Sequence, residues 1–138
     1  MELKKLTVKE LKLLRLSINQ ELKLREIPKS KKTRIRIWHL YALELEGGNY
    51  YIGMTTSVER RFLEHKGELL SNSGNYKGSK WCHKHKPIRL LESRKLGAVK
   101  ETYASDKENE MTMEYMIKYG KHCVRGGSYC SDWAVSRL

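Results

Sequence analysis

The chain has 138 residues, with 28 Lys+Arg against 16 Asp+Glu and a net charge of +12. That length suits one domain with a short appendage, and an apolar fraction of 39% excludes a wholly disordered chain. No run approaches the roughly 18 apolar residues of a membrane span. The start, Met1-Glu2-Leu3-Lys4-Lys5, lacks an apolar signal core, so the expectation is an intracellular protein, cytoplasmic or nucleoid-associated, with no membrane contact.

The first 36 residues read as a helix and a basic arm, and 37–138 as the main domain. Thr7-Val8-Lys9-Glu10 is a capping-box signature. Leu11, Leu14, Ile18 and Leu22 follow at helical spacing, and Pro28 marks the end. The apolar face is broad for its length, which predicts a homodimer or a protein partner through this helix. From Ile37 to Leu45 the pattern alternates as in a strand, Glu46-Gly47-Gly48-Asn49 is a turn, and Tyr50-Tyr51-Ile52 returns. Thr56-Ser57-Val58-Glu59 opens a helix that runs through Lys66. Ile88–Ser93 reads as a third strand, Leu96–Ser105 is ambiguous, and Lys107–Tyr119 is a helix closed by Gly120. Val124–Ser128 reads as a turn-rich close. The order predicts an α/β fold: a small three-stranded antiparallel sheet flanked by helices, with an N-terminal helical extension.

Charge falls in two zones. Residues 1–38 hold 12 basic and 4 acidic groups, and Tyr76–Lys100 holds 8 basic residues and one acid, Glu92. Two such zones suit a polyanion, whose phosphates they neutralise without reading sequence. Lys31, Lys32 and Arg34 of the arm, and Lys77, Lys80, Lys84 and Lys86 of the second zone, are the expected DNA contacts. The three cysteines, Cys82, Cys123 and Cys130, are odd in number and far apart, which excludes a disulfide framework. Cys82-His83-Lys84-His85 has no second close-spaced cysteine pair, so ordinary core or surface roles outweigh zinc.

One set of residues could carry chemistry. Tyr41 and Tyr51 sit on paired strands and can share a face of the hairpin, while Arg61 and His65 are four apart on the following helix. With one acid from the last helix, this inventory suits phosphodiester hydrolysis. Arg steadies charge on the phosphate, a carboxylate holds a divalent ion, and a tyrosine serves as base only if its pKa is depressed from about 10. Taken singly, each residue also has a plain structural reading as a core tyrosine, a solvated arginine or a boundary histidine.

Several spaced motifs from His39 to Cys130 resemble the GIY-YIG nuclease domain. Tyr51-Ile52-Gly53 matches its second strand motif, Leu40-Tyr41 matches the first with His39 in place of glycine, and Arg61 and His65 fall at the helix positions. Gly78–Pro87 resembles a stretch of the SLX-type structure-specific branch. The resemblance implies a metal-dependent DNA endonuclease using Mg²⁺ or Mn²⁺ held by one glutamate. Tyr41 or Tyr51 would be the base, Arg61 the phosphate contact, His65 the orienting group, and Gly53 the residue that admits close backbone approach. Among Glu108, Glu110 and Glu114, Glu110 sits best against the apolar pattern that follows, and spacing alone leaves the other two open. A binding-only DNA module on the same basic face is the alternative, and a phosphodiesterase acting on RNA is a third option.

Overall fold

Alternating side chains and a Gly47-Gly48 turn, both glycines at positive φ, fold residues 35–55 into a hairpin. Its strands are β1 (Ile35–Leu45) and β2 (Asn49–Thr55). The structure, a computed structural model, describes residues 34–138. The N-terminal helix, the arm lysines Lys31 and Lys32, and the partner surface expected on that helix lie outside the described residues. Helix α1 (Val58–Lys66) starts at Ser57, whose hydroxyl accepts from the Arg60 N–H, and stops at Gly67 in the left-handed region. A short α2 (Lys80–Lys84) precedes β3 (Pro87–Lys100), which runs directly into α3 (Glu101–Tyr119). After a 3₁₀ turn come β4 (Val124–Gly126) and α4 (Asp132–Ser136).

The sheet corrects the sequence reading. It has four strands in the order β3-β1-β2-β4 and is mixed, because β4 runs parallel to β2 through Tyr50↔Val124, Tyr51↔Arg125 and Ile52↔Gly126. Three residues that end in Gly126 and are followed by Gly127 carry no readable period, so the sequence looks like a turn there; the pairing is tertiary. The third strand is 14 residues long rather than six, and its pairing with β1 shifts register at Trp38/His39, Ala42/Leu43 and Glu44/Leu45. Those irregularities, and the position of β3 at the sheet edge, blur its alternation.

Helices cover both faces. Leu40, Ala42 and Ile52 point to one side and pack with Met111, Tyr115 and Met116 of α3, Val124 and Val135. Tyr41, Leu43, Leu45 and Tyr51 point to the other and pack with Cys82, Val58, Phe62 and Trp81 from α1 and α2. Period-2 side-chain alternation makes this division. It also puts both hairpin tyrosines on the α1 side. No helix among the described residues is long and apolar enough to cross a membrane.

Candidate catalytic site on the hairpin

Tyr41, Tyr51 and His65 form a cluster of rings. Centroids are 6.3 Å apart for the two tyrosines, 5.8 Å for Tyr41 and His65, and 4.9 Å for Tyr51 and His65. Room for the Tyr41 ring comes from Gly53, its direct partner across the ladder: a Cβ there would run into the Tyr41 ring and hydroxyl. His65, buried on α1, bonds Tyr41 Oη through Nε2 at 2.7 Å. Its Nδ1 accepts the Ser79 backbone N–H at 3.0 Å. A ring nitrogen that accepts carries no proton, so the proton of the neutral imidazole sits on Nε2. His65 therefore donates to Tyr41, and the Tyr41 hydroxyl hydrogen is left to point elsewhere.

Electrostatics at the site follow from burial. Desolvation holds both phenols above their ordinary value, with the charge of Arg61 pulling the other way. Burial, then the charge of Arg61, brings His65 down to about 3, so it is neutral across physiological pH. The depressed phenol expected of a tyrosine base is not supplied by the protein side chains. Cys82 belongs to the apolar cluster beneath the rings, and burial pushes its thiol up to about 12.

Arg61 sits beside the rings, about a quarter exposed, with Nη1 held by Glu64 Oε1 at 2.8 Å and by the Lys77 carbonyl at 2.8 Å. Glu64 escaped the sequence reading. Its only signal was its position three residues after Arg61 and next to His65. The loop before α2 completes the frame. Tyr76 Oη reaches the His65 carbonyl at 2.8 Å, and Gly78 packs so closely on the Tyr76 ring and the His65 backbone that a side chain there has no room.

Of the candidate carboxylates, Glu108 rather than Glu110 is turned inward. Residues two apart on a helix point to nearly opposite sides, and the structure turns Glu108 inward, 8% exposed. The Met54 backbone nearby favours its charged form, and its charge reaches Tyr51 and Cys130. Burial raises it to about 7. Asn109 fixes the turn beside it: its Oδ1 accepts the Ser128 N–H at 2.9 Å, and it packs on Gly127. Glu110 faces out with a side chain 61% exposed, 3.4 Å from Lys107, and Glu114 pairs with Arg94. The sequence preference for Glu110 rested on Met113, Met116 and Ile117 as the apolar side of the helix; the structure instead buries Met111, Thr112, Tyr115 and Met116 and leaves Ile117 exposed, which turns Glu108 inward.

Of the expected phosphate contacts, Lys77 is paired with Glu64, while Arg34, Lys80, Lys84 and Lys86 are exposed. Among the described residues no group of three or more His, Cys, Asp and Glu side chains is placed to hold a metal ion, so no ligand cluster supports the magnesium-binding nuclease that the resemblance implied.

No family model matches the chain. No solved structure matches it either. It is 43% identical over 56 residues to a UPF0213 protein of Cupriavidus pinatubonensis, covering 41% of this chain and 53% of the relative. To a UPF0213 protein of Photorhabdus laumondii it is 33% identical over 81 residues, covering 59% and 62%. To one of Halobacterium salinarum it is 35% identical over 80 residues, covering 58% and 83%. The chain thus spans about half the length of the Cupriavidus relative. These names overturn the membership suggested by the motifs: the relatives are called UPF0213 and not GIY-YIG nucleases. The four-stranded mixed sheet likewise departs from the three-stranded fold that the resemblance implied.

Proposed function

The chain belongs to the UPF0213 family, a name that states no activity, and from its own residues we propose that it hydrolyses phosphodiester bonds in DNA. The observation that carries this is the donor relay Ser79 N–H to His65 to Tyr41 Oη, set beside Arg61 on a face of the hairpin cleared by Gly53. Arg61 contacts the phosphate and stabilises its growing negative charge. Tyr41 first loses its own hydroxyl proton to solvent, and as the phenolate it takes one proton from the attacking water and returns to the phenol. Its phenolate would receive the Nε2–H of His65, and Arg61 lies near enough to favour the charged form. Tyr51 walls the site and orders the water. A net charge of +12 and the exposed Lys80, Lys84 and Lys86 bring the polyanion in.

Burial alone works against a phenolate, so the reading requires more positive charge than the side chains provide. Glu108 supports that requirement. It is a nearly buried carboxylate that appears in none of the ion pairs among the described residues, and burial raises it to about 7. A countercharge is what such a group lacks. Glu108 would hold one divalent cation, Mg²⁺ or Mn²⁺, which keeps most of its waters and supplies positive charge at the phosphate. This activity would place the protein in the cytoplasm or on the nucleoid, with DNA as partner.

The raised phenols favour a second reading, a DNA-binding module that does not cut. One experiment separates the two. The full chain is incubated with supercoiled plasmid, linear duplex, flap and four-way-junction DNA, with Mg²⁺, Mn²⁺ or EDTA. Cutting that EDTA stops supports hydrolysis. Salt-sensitive binding without cutting on every substrate supports the module.

A further inference from the structure

Glu64 is 4% exposed, yet it is an acid on the face of α1 that meets the site. A buried carboxylate is costly unless paired, and two cations pair it: Arg61 Nη1 on Oε1 at 2.8 Å and Lys77 Nζ on Oε2 at 3.1 Å. Both pairings hold its carboxyl below the usual range, against the opposing effect of burial. The two cations are not held alike. Arg61 is tied twice through Nη1, to Glu64 and to the Lys77 carbonyl, so that nitrogen of its guanidinium is held by two acceptors. Lys77 is tied by its ammonium alone, and its side chain is 46% exposed. An ammonium is a rotatable point charge on a flexible stem, whereas guanidinium pairing is directional.

Resting on the reading of the site as a DNA phosphodiesterase, we propose that Glu64 is its positioning residue: it aims Arg61 at the substrate phosphate and parks Lys77 alongside, to be handed over as a second phosphate ligand. Arriving DNA competes with Glu64 for Lys77, and it wins only the singly tied cation. The backbone of Lys77 stays in place under Arg61 while its side chain turns. Glu64 therefore opposes binding slightly, because it occupies Lys77, and promotes turnover, because it orients Arg61.

Opposite signs on binding and turnover make the test. Affinity of the full chain for a short duplex is measured against salt for wild type, Glu64→Gln and Lys77→Ala, with thermal midpoints as a folding control. Glu64→Gln should bind about two- to fivefold tighter at low salt, the range of one partly exposed ion pair. Its single-turnover cutting should be slower than that of wild type. Lys77→Ala should lower the salt slope by about 1, one phosphate contact. Weaker or unchanged binding by a folded Glu64→Gln overturns the proposal. So does an unchanged slope for Lys77→Ala, which decides the matter if Glu64→Gln fails to fold. A wild type that binds but never cuts removes the hydrolytic reading and the turnover arm, and the two binding results still decide the handover.

Discussion

The Tyr41 ring lies across the backbone of Gly53, its partner in the β1–β2 ladder, and occupies the space where any other residue would carry a Cβ. The site depends on this vacancy, because the same ring then reaches His65. Gly53→Ala should force the ring aside and cost about 1–3 kcal/mol, the usual penalty of overpacking a filled core. Urea unfolding measures it; an unchanged midpoint would mean that the ring has another place to go.

Tyr41→Phe removes the acceptor of the His65 Nε2–H in a buried setting. The orphaned donor should cost about 1–3 kcal/mol. Unfolding free energy compared with wild type at neutral pH reads this directly. A cost near zero would mean that the Tyr41–His65 hydrogen bond contributes nothing net to the fold.

His65 also makes stability depend on pH. Its pKa falls from 6.5 in the unfolded chain to about 3 in the folded one, so the unfolded state binds the extra proton between those values. Stability from this group is complete above 6.5 and declines as pH falls towards 3, with a limiting slope of about 1.4 kcal/mol per pH unit. Glu108 acts in the opposite sense as pH falls from about 7, but equally in wild type and a His65→Gln variant. The difference between the two unfolding profiles from pH 6.5 to 5 therefore isolates His65. The wild type should lose more stability over that interval, and parallel profiles would show that His65 is charged in the folded state.

Much of this site was legible because local rules determine it. A period of two puts Tyr41 and Tyr51 on one side of a hairpin closed by Gly47-Gly48, and a period near four brings Arg61 and His65 to one side of α1. What the sequence hid depends on tertiary partners. β4 is too short to show alternation and exists because Tyr50–Ile52 offers it an edge. Glu108, and not Glu110, is turned inward because the buried side of α3 runs through Met111, Thr112, Tyr115 and Met116, whereas the sequence pattern also offered Met113 and the exposed Ile117. Glu64 reads as a solvated helix acid until Lys77 is folded back over it.

The choice between the two glutamates is testable. Glu108→Gln should remove metal-dependent cutting, while Glu110→Gln, an exposed change on the far side of α3, should leave it within a few-fold of wild type. The reverse pattern in initial rates on plasmid DNA would move the carboxylate function to Glu110 and remove Glu108 from the site.

Lys84 and Lys86 are exposed near α2. Replacing both with alanine should weaken duplex binding across unrelated sequences and reduce the salt slope by up to about 2. Fluorescence anisotropy over a salt series gives the slope, and an unchanged value would take this loop off the DNA.

The most direct test of the central claim is Arg61→Ala, measured for single-turnover cutting and for affinity on the same DNA. Arg61 stabilises charge at one phosphate among many contacts, so cutting should fall about 100- to 1,000-fold while the dissociation constant stays within a few-fold of wild type. Undiminished cutting would contradict the account, and so would parallel loss of cutting and affinity in a protein that still folds.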